Sequence, residues 1–347
     1  MICADGEYRR LVWCGGKHFS LLRPEQPPAT PGPRQILLKV RAVGICGTDI
    51  HILDEKVPLA RPPRVLGHEI AGDVCLVGEG VVRVQPGDRV TVDSVVGCGA
   101  CPFCRRGSRQ FCTSGCELGM TADGGCQDYL VVPEENVYPV GPCISYEEAA
   151  ILDMEVWGAL RKCGIHAGDR VLVLGHGSAG MVACQLVRAM GAARVILCGR
   201  SRGRLAAAER LGLADRYVDI EEADVPAIAR EESGGCGVEV VVDCAGTARS
   251  TRDAFEAVVP GGRVLLYGVY TEPLQKLDLN RVVLKDLSVF GALSDRTGWE
   301  EVIGLVASGS LRLKPLITHS FPLEAAPAAY ELMARRADGV IKAVLMF

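Results

Sequence analysis

Hydrophobic positions fall into two regimes along the 347 residues. From Gln35 to about Val140, β-branched runs (ILLKVRAVGIC, EIAGDVCLVG, DRVTVDSVVG, DYLVVPEENVYPV) are broken by glycine and proline. Short apolar runs bounded by turn residues predict strands joined by tight turns. From Ile144 onward the pattern changes. The strand-like VLVLG, RVILCG, VEVVVDCAG and GRVLLYGVY are separated by the helix-length SAGMVACQLVRAMGA and RGRLAAAERLG and by a further helical stretch near Ser250. Such alternation predicts βαβ units and a parallel sheet. After Phe290 the alternation weakens, and the strand-like tail GVIKAVLMF is expected to return to the first domain. The expected fold class is α/β: a doubly wound parallel sheet preceded by a mostly β domain, which suits the length prior of about two domains.

The first turn of the α/β half carries a motif. VLVLGHGSAG places Gly175, Gly177 and Gly180 in G-x-G-x-x-G spacing, after an apolar strand and before a helix. Glycines there permit a tight turn, close approach of backbone to a pyrophosphate, and close helix packing. Phosphates would rest on the helix N-terminus, which brings in Ser178 and Ala179. A plain glycine-rich turn is the competing reading, and the strand–turn–helix context favours the dinucleotide. An NAD site places an acid at the end of the next strand to bind the ribose. In RVILCGRSRGRL that place is Gly199, followed by Arg200, Ser201 and Arg202. Without the carboxylate, and with guanidinium and hydroxyl donors for a 2′-phosphate, NADP is expected; NAD bound without the acid is the alternative. Gly268, after GRVLLY, joins the cofactor-binding candidates.

Composition adds metal chemistry. In GCGACPFCRRGSRQFC, two residues separate each of Cys98, Cys101 and Cys104, and seven precede Cys112. Four thiolates this close suit one tetrahedral zinc with no vacancy for substrate, a structural site. An iron–sulfur cluster or two disulfides are the alternatives. The remaining members of the 16 cysteines are scattered through apolar runs, and MICADGEYRRLVW has no secretory h-region, so a reducing cytoplasm is expected. A net charge of −4 with interspersed signs predicts no nucleic-acid footprint. No apolar run approaches the ~18 residues that span a bilayer.

Upstream lie Gly44-Ile45-Cys46-Gly47-Thr48-Asp49-Ile50-His51 and Leu66-Gly67-His68-Glu69. Cys46 and His68 are a thiolate and an imidazole that could share a catalytic zinc, which needs one further protein ligand and an open position. Taken singly, each reads more readily as a core residue.

Together, GICGTDIH, LGHEIAGDV, VQPGDRV, the cysteine quartet, DGGCQDYLVVPEEN and VLVLGHGSAG resemble the zinc-containing medium-chain dehydrogenases, the family of alcohol, sorbitol and threonine dehydrogenases. The resemblance spans nearly the full length. It implies a GroES-like catalytic domain over residues 1–152, a Rossmann domain over 153–291, and a C-terminal segment, 292–347, that returns to the catalytic domain. It also implies two zinc ions per chain, one catalytic and one structural, and a homodimer or homotetramer, with strands near Gly262 to Tyr270 as the interface. Cys46 and His68 would bind the catalytic zinc, Glu69 would be a close or exchangeable ligand, and Asp49 would orient His68. Where sorbitol-dehydrogenase-like members read Glu-Pro, this chain has Asp153-Met154. Asp153 is therefore the candidate last ligand and Glu155 its competitor.

The implied reaction moves a hydride between NAD(P) and an alcohol or ketone, with Thr48 and His51 relaying the hydroxyl proton to solvent. A secondary alcohol bearing several polar groups (polyol, cyclitol, sugar or amino alcohol) is expected, against a simple aliphatic alcohol, with Trp157 and Met154 candidates to narrow the cleft. A zinc-free quinone or enoyl reductase would lack Cys46, His68 and the quartet. A non-enzymatic binding protein on this fold is the alternative outside enzymology.

Overall fold

The computed structural model describes residues 8–24, 30–152, 154–270, 273–274, 277–293, 297–337 and 339–347. Two compact units form: Met1–Leu152 with Trp299–Ala307 and Leu313–Phe347, and Asp153–Gly298 with Ser308–Arg312.

In the first unit the β-branched runs become the strands Gln35–Ile45, Glu69–Val77, Arg89–Val92, Tyr129–Pro133 and Val137–Pro139. The longest, Gln35–Ile45, pairs antiparallel with Glu69–Val77, with Tyr129–Pro133 and with the tail strand Lys342–Met346. That tail also pairs parallel with Ile317–Pro322. Alternation along these strands points Ile36, Leu38, Val40, Ile70, Val74, Val90 and Leu345 into one apolar core, capped by Tyr330. Phe19 stacks on Tyr330 with ring centroids 5.1 Å apart. Trp299 joins this unit by stacking on Tyr138 at 4.8 Å.

The second unit is a six-stranded parallel sheet. In spatial order its strands are Arg216–Asp219, Arg194–Gly199, Arg170–Leu174, Val238–Asp243, Val258–Leu266 and Ser288–Gly291. Numbered along the chain this is 3-2-1-4-5-6, the doubly wound order that binds dinucleotides where the strand order reverses, outside the carboxyl ends of the first strands. The strand Arg216–Asp219 and the helix Val225–Glu231 carry too little apolar pattern to stand out in the sequence. Buried runs such as Val171–Leu174 and Val195–Cys198 fill the sheet, since parallel strands are covered on both faces. Gln185 binds both the N–H and the carbonyl of Arg312, which ties Ser308–Arg312 to the helix Ser178–Ala189. Val258–Leu266 has a neighbour on each side. The strand expected as an interface is therefore internal to the sheet, and among the described residues Arg216–Asp219 and Ser288–Gly291 are its two edges. Among the described residues, no helix is long and apolar enough to cross a membrane.

Candidate active site

In the first unit, strand Gln35–Ile45 runs directly into the helix Gly47–Leu53. Cys46 is the helix N-cap, and Asp49, three residues on, accepts the Cys46 N–H at 2.8 Å through Oδ2. This is the reciprocal half of a capping box, with aspartate in the place usually held by Glu or Gln. The other carboxylate oxygen lies 3.4 Å from His68 Nδ1, a charge pairing rather than a well-aligned hydrogen bond. With Nδ1 facing Asp49, Nε2 would be the ring nitrogen left for a metal, an arrangement in which an acid orients a ligand. Burial pulls the His68 pKa down, but Asp49 and then Cys46 more than offset it and leave it well above the usual histidine value.

Glu69 stands directly opposite Gly44 in the strand pair. One carboxylate oxygen accepts from Lys342 Nζ at 2.6 Å, and the other is buried without a hydrogen-bond partner. A Cβ built on Gly44 would lie 2.0 Å from that second oxygen, so glycine is what makes room for it. Ligand atoms of Cys46, His68 and Glu69 all lie within 4.8 Å of one another. A thiol, an imidazole and a half-buried carboxylate with a buried, orphaned oxygen form a donor set that suits zinc. Asp153 lies outside the described residues, as does the side chain of Met154. Glu155 and Trp157 are half-buried on the helix Met154–Cys163 of the second unit. Thr48 Oγ1 sits 3.7 Å from Cys46 Sγ. His51, in the last turn of the same helix, is half-buried with Nδ1 unpartnered, and burial followed by Lys56 lowers its pKa.

The sulfurs of Cys98, Cys101, Cys104 and Cys112 also lie within 4.8 Å of one another. Tetrahedral sulfurs ~2.3 Å from zinc stand roughly 3.8 Å apart, so the set has the right size. Backbone N–H groups of Cys98, Cys101 and Cys104 donate to the sulfurs of Cys112, Cys98 and Cys101 at 3.3, 3.3 and 3.4 Å. Such donors favour thiolate, and the N–H groups of Ala100 and Cys101 push the Cys98 thiol down to about 6. A Cβ on Gly97 would meet Cys104 Sγ at 2.7 Å. Arg109, between the last two cysteines, pairs with the fully buried Asp93, which also accepts the Trp299 indole N–H at 3.4 Å. The lobe is thereby pinned to its unit's core.

In the second unit, Gly175 turns with φ +107° against the 244–245 backbone, and a Cβ on Gly180 would lie 1.8 Å from the Gly175 carbonyl. Gly177 caps the helix Ser178–Ala189, yet an added Cβ there would meet nothing within 4 Å. The chain's own packing does not require glycine at 177, and the open space beside it is room that a pyrophosphate approaching the backbone would use. Ser178 and Ala179 open that helix. Gly268 faces Gly246 across a gap that a Cβ would close to 2.4 Å, and its N–H donates to the Asp243 carbonyl. Arg200 is exposed and Ser201 half-exposed beyond Gly199. Arg202 is not free: its guanidinium pairs with Asp219 and Glu222.

Lys342 and Asp243 belong to no motif, and His176 fills a variable position of the glycine loop. For Lys342 the available signal is a lysine inside the apolar run GVIKAVLMF, a buried charge in need of a partner. Asp243 is fully buried, and its carboxylate accepts from the N–H groups of Ala245 and Gly246 and from Ser250 and Tyr270. It holds the turn against which Gly175 packs.

Comparison with known proteins agrees with this architecture. Residues 32–142 match the model of the alcohol dehydrogenase GroES-like domain and residues 179–308 that of the zinc-binding dehydrogenases. The chain is similar to a sorbitol dehydrogenase of Halalkalibacterium halodurans, with 30% identity over 95% of this chain and 96% of the relative. It is also similar to an L-threonine 3-dehydrogenase of Pyrococcus abyssi, with 35% identity over 91% and 92%. A crystal structure described as a zinc-binding dehydrogenase from Sinorhizobium meliloti 1021, bound to NADP, superposes with a TM-score of 0.91 at 30% identity and covers 99% of this chain and 100% of that one. Matched by both domain models and aligned with these relatives along nearly its whole length, the chain belongs to the zinc-containing medium-chain dehydrogenases, enzymes that act on CH–OH groups.

Proposed function

We propose that the protein is a zinc- and NADP-dependent dehydrogenase that interconverts a secondary alcohol bearing several polar groups, such as a polyol, cyclitol, sugar or amino alcohol, with its ketone. The observation that carries this reading is the convergence of Cys46, His68 and Glu69, with His68 held by the buried Asp49. The sorbitol and threonine dehydrogenase relatives support the substrate class. In this reading Cys46 and His68 hold the catalytic ion, Glu69 and Asp153 complete or exchange at its shell, and the quartet holds a structural ion. Bound there, zinc would supply Lewis acidity toward the alcohol hydroxyl and a nicotinamide coenzyme would supply the hydride acceptor. Thr48 would take the hydroxyl proton while giving up its own to the nicotinamide ribose, and His51, neutral because burial lowers its pKa, would carry the proton from there to solvent. The free thiols among the described residues suit a cytoplasmic location.

Turnover of a panel of polyols, amino alcohols and aliphatic alcohols with both coenzymes tests the reading. Polyhydroxylated or amino secondary alcohols with NADP should exceed the rest by about tenfold or more in kcat/KM. Preference for a primary aliphatic alcohol would discard the substrate class, and preference for NAD would discard the coenzyme assignment.

Metal analysis should find two zinc ions per chain. Cys104→Ser should retain one and lower the melting temperature, whereas Cys46→Ser should retain the other and lose activity. Asp49→Asn should cost about 10–100-fold in zinc affinity or activity. Unchanged zinc content and rate in Asp153→Ala would remove Asp153 from the site.

His51→Gln should slow alcohol oxidation by roughly 100-fold near pH 7 and recover as hydroxide takes over the proton at alkaline pH. Because the lowered pKa keeps His51 neutral below the usual 6.5, wild-type oxidation should persist under mild acid. A pH profile of the variant parallel to wild type would contradict the relay.

The edge strand Ser288–Gly291 of the second unit carries the exposed Val289, and the chain on either side of it exposes Val269, Leu279, Val283, Leu284 and Leu293. This supports a homodimer in which a second copy covers the edge, since unpaired strand edges invite pairing. Sedimentation should show a dimer for wild type and a shift toward monomer for Leu284→Glu; a monomeric wild type would end this assignment.

A further inference from the structure

Coenzyme choice in this fold turns on whether an acid stands at the end of the second strand, and here Gly199 stands there. What fills the vacated space is His176, the residue between the first two glycines of the loop. Its side chain is turned back against the strand end and is only 7% exposed. A Cβ built on Gly199 would lie 2.2 Å from the ring Cγ, 2.4 Å from Cδ2 and 2.7 Å from Nδ1. Contacts below 3 Å exclude any side chain at 199 while the ring stays in place, and the obstacle is a packed ring rather than a flexible tip. The ring's other edge is also committed, because Nε2 accepts the Ser201 N–H at 2.9 Å. His176 therefore blocks position 199 and binds the backbone of the turn that follows it.

The surrounding charges are arranged in the same sense. Asp219 is the register partner of Gly199 on the neighbouring strand and could replace the missing acid. It is instead paired with Arg202 at 3.5 Å, and Arg202 also engages Glu222. Arg202 thus neutralises the two carboxylates that would repel a phosphate, and Arg200 and Ser201 remain as the donors on the turn.

We propose that His176 is the specificity-determining residue of the coenzyme site: its ring keeps an acid out of position 199 and holds the Gly199–Ser201 turn in the form that accepts a 2′-phosphate. The role rests on the NADP preference proposed above, and the two are separable by experiment. Fluorescence titration of the full-length, zinc-loaded protein with NADPH and with NADH gives both affinities without a substrate. Wild type should bind NADPH about tenfold or more tightly than NADH. Gly199→Asp alone should weaken both coenzymes by about tenfold, because the new stem collides with the ring. In His176→Ala/Gly199→Asp the collision is gone, so NADH affinity should recover by about tenfold while NADPH stays weak. His176→Ala alone should weaken NADPH more than NADH, with far-UV circular dichroism unchanged.

If Gly199→Asp binds NADH as well as the double variant does, or if the folded double variant binds it no better than Gly199→Asp, the ring is not the gate and the role is overturned. Gly199→Ala, which adds only a Cβ, supports the same comparison should the aspartate variant fail to fold. A wild type that prefers NADH overturns the NADP reading, and the single-to-double comparison still decides what the ring does.

Discussion

A carboxylate with no access to solvent constrains the catalytic unit. Asp49 is fully buried, and an uncompensated charge there would cost several kcal/mol. Its compensation comes from the Cys46 N–H on one side and the His68 ring on the other. Satisfying this one acid therefore starts a helix, places a thiol at its N-cap, and orients an imidazole from a segment about twenty residues away. Lys342 does the same for Glu69 from the far end of the chain. The buried Asp49 and the half-buried Glu69 draw three separate stretches of sequence around one candidate set of metal donors.

The dinucleotide unit is governed by a different constraint, the closeness of backbone to backbone. Gly180 against Gly175 and Gly268 against Gly246 are contacts that no Cβ survives. These glycines are explained within the chain. Gly177 is not, since the space around its α-carbon is open. Gly199 is a third kind, required because the His176 ring already occupies its side-chain space.

The two candidate metal sets contrast in how they are held. The quartet is local: turns, N–H groups donating to sulfur, and one buried Arg109–Asp93 pair keep it in place. The Cys46 set is assembled across a sheet, from a strand end, the start of the paired strand, and the tail strand that lies alongside.

The difference between local and assembled structure also separates what the sequence determined from what only folding decided. The cysteine quartet, the glycine loop and the strand–helix alternation are written in short spans, because turn geometry and hydrophobic period act between residues a few positions apart. Arg216–Asp219 escaped notice because a short strand with charged residues has little periodicity to show. Lys342 beside Glu69, Arg202 turned to Asp219 and Glu222, the internal position of Val258–Leu266, and the His176 ring over Gly199 belong to the tertiary structure alone. Each depends on which strands become neighbours, and that outcome is set by burial of the whole core rather than by any segment's own preference.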